Sequence, residues 1–317
     1  MFLFLLRKVP SVLMILIISS IIAFLLPRLA PGDPAVVLAG ADSSPETVAA
    51  IREALGLNLP LWQQYLSWIG GLFTGDLGQS FILQRPVGDL IVARLASTIE
   101  LTVLATIIML IVGFTLGILG GSPRSRVARA ILDMFNTIFL ATPPFLTGLL
   151  LILGLGIAWP ILPVSGEVSI LEDPWLGLQY LILPAAALAL PQAAVIARLL
   201  QTSMLTVRGE DFVDLAVLKG VGPRQITRRH VLRNSVGAAV VVIGLRIGEL
   251  LGGAIVVEAI FARNGLGTLA VTSVLSRDYL VIQVLILGAV FIAVLIQLLS
   301  EIVLAALDPR IRLKGKA

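Results

Sequence analysis

The residues of this 317-residue chain that could do chemistry are few, and they cluster. Glu210-Asp211-Phe212-Val213-Asp214-Leu215-Ala216-Val217-Leu218-Lys219-Gly220-Val221-Gly222 places acids at the start of a helical pattern and a lysine at its end. Both placements favour the helix macrodipole. Gly220 and Gly222 then stop the helix and Pro223 closes the exit. This is an amphipathic helix with a sharp end: either an ordinary interfacial helix or a peg for a groove on a soluble partner. Arg246 and Glu249, three apart in an apolar run, lie on one helix face. Charges at such depth turn to protein or water, so they form an ion pair or line a path. His230, between Arg229 and Arg233, reads as a structural loop residue, and one histidine builds no metal cluster. With no cysteine there is no disulfide, iron–sulfur or thiolate site. No glycine loop is followed by Lys and Ser or Thr at nucleotide-binding spacing, and no paired acid–base or nucleophile set marks an enzyme.

The elements that position these residues are apolar. Hydrophobic residues make up 58% of the chain and charged ones 13%, with mean hydropathy +1.03. A soluble domain of this length has no use for so much apolar surface, so the second solvent is a bilayer. Spans need about 20 mostly apolar residues. Six segments qualify, near 9–27, 98–121, 131–159, 179–203, 236–262 and 280–305. Val9 to Leu26 exceeds the apolar stretch of a secretory leader, and no small-residue cleavage site follows. The first segment is therefore expected to be an uncleaved span.

With the N-terminus inside, 16 of the 23 lysines and arginines fall on inner segments. These include Arg7 and Lys8, Arg124, Arg126 and Arg129, and Arg310, Arg312, Lys314 and Lys316. All four tryptophans and all three tyrosines fall on the outer side, where aromatics favour the headgroup level. The expected topology is N-in and C-in. The net charge of +4 is thereby explained by topology, and no nucleic acid is implied. Prolines at Pro143-Pro144 and at Pro184 and Pro191 should kink spans three and four. Glu258 and Glu301 lie nearer span ends, where interfacial water would solvate them.

Residues 28–97 form the longest non-spanning stretch. Ser44-Pro45-Glu46 starts a helix that carries Val48, Ile51 and Leu55 to Gly56. A second helix starts at Pro60 with Trp62, Tyr65, Leu66 and Ile69 at helical spacing. The stretch is a collar packed on the spans, a platform for an external partner, or both.

The 210–222 loop resembles the EAA loop of permease subunits in binding-protein-dependent ABC importers. Specifically it resembles the B-type permease of the dipeptide, oligopeptide and nickel group. Leu29-Ala30-Pro31-Gly32-Asp33-Pro34, Gly56-Leu57-Asn58-Leu59-Pro60 and Gly75-Asp76-Leu77-Gly78-Gln79-Ser80 fit that group's outer segment. Pro163-Val164-Ser165-Gly166, Arg229-His230-Val231-Leu232-Arg233-Asn234, Gly265-Leu266-Gly267 and Asp308-Pro309-Arg310-Ile311-Arg312 follow in order. The chain departs from the pattern at Leu218, Asn264, Leu280 and Ile296.

The resemblance implies an all-α integral membrane fold of about six helices in a bacterial inner membrane. Its parts would be a first span (1–27), an extracytoplasmic segment (28–97), a five-helix core (98–305) holding the coupling loop (204–235), and a cytoplasmic tail (306–317). It further implies that Glu210, Asp211, Ala216, Lys219, Gly220 and Gly222 couple the chain to separate ATPases that bind ATP and magnesium. A second homologous permease and a substrate-binding protein would complete the assembly; the length and aromatic content of 28–97 make it the expected docking surface, with Asp33, Trp62 and Asp76 as candidate docking residues. Dipeptides or oligopeptides are the first expected cargo, with nickel or haem as alternatives; a stand-alone secondary transporter or channel is the rival reading.

Overall fold

The computed structural model describes residues 2–29, 32–40, 42–122 and 126–307. Arg124, Ala30 and Pro31, and the tail from Asp308 through Arg310, Arg312, Lys314 and Lys316 lie outside the described residues, as do the side chains of Arg7, Arg126 and Glu301. The described residues form helices joined by turns and loops, with one isolated antiparallel bridge between Gln79 and Pro86. Residues 1–97 with 264–294 form one unit, and 98–263 with 295–317 form another.

The first unit begins with α1 (Phe2–Leu29), a span of high hydropathy. Short helices α2 (Pro34–Ala39) and α3 (Pro45–Ala54) follow, each with proline in its first turn. Asp33 caps α2 by accepting from the Ala35 amide at 2.9 Å and pairs with Arg52. The Ser44 hydroxyl caps α3, accepting from the Thr47 amide. Ser44 and the Glu46 backbone amide, both hydrogen-bonded to the exposed Glu46 carboxylate, hold it below its ordinary pKa. α4 (Leu61–Thr74) ends at Gly75 in the left-handed region. Its inner face is Tyr65, Trp68, Ile69 and Leu72, packed with Ala23 and Phe24 of α1. Trp62, Leu66 and Phe73 stay outside, so the sequence stripe is split between two faces.

The unit closes with α12 (Leu266–Ser276) and the start of α13 (Tyr279–Leu307), whose Leu269, Val281 and Val284 meet Val87 and Leu90. Between α12 and α13, Asp278 is 1% exposed. Its carboxylate accepts from the Ser80 hydroxyl and from the Phe81 amide at 3.2 Å.

The second unit is built on two 35-residue helices, α5 (Val87–Gly121) and α8 (Pro174–Arg208). α5 starts eleven residues before the span expected from hydropathy, its first turns lying in the first unit. Gly113, Gly117, Gly120 and Gly121 let α5 approach α8: a Cβ on Gly117 would stand 2.9 Å from the Leu200 Cβ and 3.0 Å from the Ala197 carbonyl oxygen. Pro184 and Pro191 are buried within an unbroken α8.

The third expected span behaves differently. α6 (Arg126–Ala141) and α7 (Pro144–Leu151), continued by a π-helical stretch to Ala158, meet at 111°. Pro143, forced extended by the proline after it, has φ −66° and ψ 155°. The kink expected there is a full break.

α9 (Asp211–Leu218) and the one-turn α10 (Pro223–Gln225) lead through a π-helical stretch into α11 (Arg233–Ile260). Leu181, Leu188 and Ile196 of α8, Leu101 and Met109 of α5, and Leu250 and Phe261 form the main core. Among the described residues four helices are long and apolar enough to cross a bilayer, or six if each bent pair counts as one span.

Candidate functional site

α9 is held to its own chain by two residues. Val213 and Ala216 are 4% and 7% exposed, packed with Leu200 and Met204 of α8 and with Ile226 and Val231. The small Ala216 therefore brings α9 close to the ends of the spans. The Arg208 guanidinium fixes the frame: Nε donates to the Gly121 carbonyl at 2.9 Å and Nη2 to the Thr227 hydroxyl at 2.8 Å. One side chain thus joins the ends of α5 and α8 to the segment after α10.

The other faces of α9 are uncovered. Phe212, Leu215, Val217 and Leu218 are 42%, 52%, 57% and 83% exposed. Four exposed apolar residues on an eight-residue helix, beside Asp211, Asp214 and Lys219, form an unusual surface for water. Glu210 occupies the cap position by its carbonyl, which receives the Val213 amide at 2.9 Å; its side chain makes no cap bond.

At the far end Lys219 is the last near-helical residue and Gly220 turns left-handed at φ +74°. The Gly220 amide then donates to the Val217 carbonyl at 2.9 Å, and the Val221 amide to the Ala216 carbonyl at 3.1 Å. These two bonds are the Schellman arrangement, with Val221 returning to the cluster that holds Ala216. Gly222 has φ −64°, a conformation open to any residue. No heavy atom stands within 4 Å of a Cβ built on either glycine.

Arg246 and Glu249 do pair, Nη1 to Oε2 at 2.6 Å, and Nη1 lies 3.4 Å from Oε1 of Gln192 on α8. The side chains remain 25% and 49% exposed. His230 is half-buried and its carbonyl accepts from Asn234 at 2.6 Å. Of the other three candidates, Trp62 (65% exposed) and Asp76 are on the surface, and Asp33 is engaged with Arg52 and the α2 cap. They belong to the first unit, and the loop to the second.

Sequence reasoning missed one cluster. Arg263 is 1% exposed, with Nη2 3.1 Å from Glu167 and 3.8 Å from Glu100. Ser169 donates to Glu100 at 2.6 Å, and Thr98 donates to Glu258 at 2.6 Å. Burial pushes the Arg263 guanidinium below its ordinary pKa, and Glu167, Glu100 and Glu258 oppose that shift. Glu258 is 0% exposed, so the solvation expected for it near a span end is replaced by internal bonding. A carboxylate at position 100, inside an apolar run, was the available signal. Among the described residues no group of His, Cys, Asp and Glu has metal-holding geometry.

The chain is a many-helix membrane protein with a short, apolar-faced helix set in sequence between two long ones. Two family models match the chain: "Binding-protein-dependent transport system inner membrane component" over residues 113–313, and the corresponding N-terminal model over residues 1–102. The chain belongs to this family of ABC-importer permease subunits, multi-pass proteins of the inner membrane. It is similar to "Probable peptide ABC transporter permease protein y4tP" of Sinorhizobium fredii, 37% identical over 98% of this chain and 99% of that protein. It is 35% identical to the glutathione transport system permease protein GsiC of Escherichia coli, with the same coverage. Among solved structures, the inward-facing MetNI methionine ABC transporter superposes with TM-score 0.58 at 18% identity, covering 69% of this chain and 96% of that one; this likeness concerns the fold.

Proposed function

We propose that the chain is one half of a peptide-conducting pore, moved by ATPase subunits that seat the exposed face of α9. Peptide cargo is supported by the relatives, one named for peptides and one for glutathione, itself a tripeptide. In this reading ATP and magnesium bind only to the partner subunits. A second homologous permease completes the pore, the termini face the cytoplasm, and a substrate-binding protein delivers cargo to the outer side, meeting Trp62, Asp76 and the Asp33 region.

The observation that carries the reading is α9 itself. Its inner face is seated by Val213 and Ala216, its end is fixed by the Gly220 turn, and its frame is tied by Arg208. Phe212, Leu215 and Leu218 are left to a partner's groove, where burying each side chain contributes about 1.5–3 kcal/mol. Glu210, Asp211 and Lys219 rim that face and orient the docking by charge, and Gly222 leaves open space at its end. Displacing α9 then biases the spans between two arrangements, because the same cluster holds α8 and the segment leading into α11.

The chain has no cysteine, so Leu218→Cys carries a single thiol. Coupled to a benzophenone maleimide in membranes containing the whole complex, it is expected to cross-link to an ATPase subunit on illumination. Adducts confined to lipid or to the permease itself would overturn the docking.

A further inference from the structure

Glu249 combines three properties that rarely coincide: charge, exposure and depth. Counted from Ile260 at about 1.5 Å per residue, Glu249 lies about 16 Å and Arg246 about 21 Å along α11, within a hydrocarbon layer of about 30 Å. A half-exposed carboxylate at that depth is strongly disfavoured against lipid chains, so the face it occupies meets water or protein. Leu245, Glu249, Gly252 and Val256 form one exposed line along the helix. No heavy atom lies within 4 Å of a Cβ built on Gly248 or Gly252. The line is therefore open beside Gly248 and Gly252, with the Glu249 carboxylate on it and the Arg246 guanidinium next to it. Arg246 Nη1 serves both Glu249 and Gln192, while its Nε has no acceptor.

We infer that the Arg246–Glu249 pair is a cargo subsite on a water-filled path, which takes the two terminal charges of a zwitterionic di- or tripeptide by exchange of ion pairs. The peptide carboxylate meets Arg246 and its ammonium meets Glu249. The inference rests on the peptide-importer reading and gives it a place of contact. The dimensions agree: side chains three apart on a helix start about 5–6 Å from each other at Cβ, and two extended residues span about 7 Å. Exchange leaves every charge compensated before and after, so little new desolvation is added. The net affinity is weak, which suits a site that must release what it receives.

The test uses the complete transporter in liposomes, with its ATPases and binding protein. Leu245→Cys and Gly252→Cys leave the pair intact, and Ile111→Cys on α5 serves as an exposed apolar reference. A charged, membrane-impermeant methanethiosulfonate should modify positions 245 and 252 at least tenfold faster than 111. Delivery of a dipeptide by loaded binding protein, trapped with ATP and vanadate, should slow that reaction several-fold. In the double variant Arg246→Gln with Glu249→Gln, which keeps hydrogen-bonding side chains, dipeptide moved per ATP hydrolysed should fall at least tenfold. Modification no faster than at 111 would overturn the path. Retained transport per ATP in the double variant would reduce the pair to a structural one and overturn the subsite. A parental complex that hydrolyses ATP yet moves no di- or tripeptide would sink the cargo reading and the subsite together, while labelling would still report whether the face is wet.

Discussion

Gly220 and Gly222 look equivalent in the sequence, and the structure separates them. At φ +74° a side chain at position 220 strains the backbone by about 1–2 kcal/mol, although its Cβ meets nothing within 4 Å. That strain opposes two hydrogen bonds, each contributing about 1 kcal/mol net, that end α9. Gly220→Ala should therefore shift the balance between closed and frayed helix ends by a factor of about 5–30. Gly220→Asn, which tolerates the left-handed region, should recover much of that loss. Gly222→Ala, at φ −64° in open space, carries no such strain. The assay is ATP hydrolysis by the reconstituted complex, titrated with loaded binding protein. Stimulation should follow the order parent and Gly222→Ala, then Gly220→Asn, then Gly220→Ala. Equal damage at both glycines would mean that room for a partner matters and backbone conformation does not. Full stimulation in Gly220→Ala would refute the reasoning outright.

Two further outcomes follow from the packing of the second unit. Arg263→Met leaves Glu100, Glu167 and Glu258 without their cation and should cost about 3–5 kcal/mol, read as a lowered unfolding midpoint of the purified complex; adding Glu167→Gln should restore part of it, and an unchanged midpoint would discount the cluster. Gly117→Leu forces a side chain against Leu200, where a Cβ alone stands at 2.9 Å, and should cost about 1–3 kcal/mol, whereas Gly154→Ala, with nothing within 4 Å, should be silent in the same melt.

Much of this was legible in the sequence because hydropathy and end signals are local. The 35 residues of α8 contain the apolar run expected near 179–203, and Ser44-Pro45-Glu46 announces the α3 cap. What was not legible depends on neighbours. The paired prolines at 143 and 144 give a 111° break because Pro144 forces Pro143 out of the helical region. Pro184 and Pro191 stand seven apart, and α8 passes through them among buried alanines at 185, 187, 189, 193 and 194. Periodicity marked α9 as amphipathic yet could not decide whether Val213 and Ala216 or Phe212 and Leu215 turn inward. Glu258 and Arg263 are five apart in sequence, but Glu100 and Glu167 reach them only through the fold.

The bond between Ser80 and Asp278 has a consequence for biogenesis. Its partners are 198 residues apart in the chain. At about 5–20 residues per second, a ribosome supplies the acceptor about 10–40 s after the donor has emerged. The turn from Ser80 to Leu83 therefore waits, unanchored, until nearly the last helix is made. Truncation before Asp278 would leave the Ser80 hydroxyl and the Phe81 amide without that acceptor.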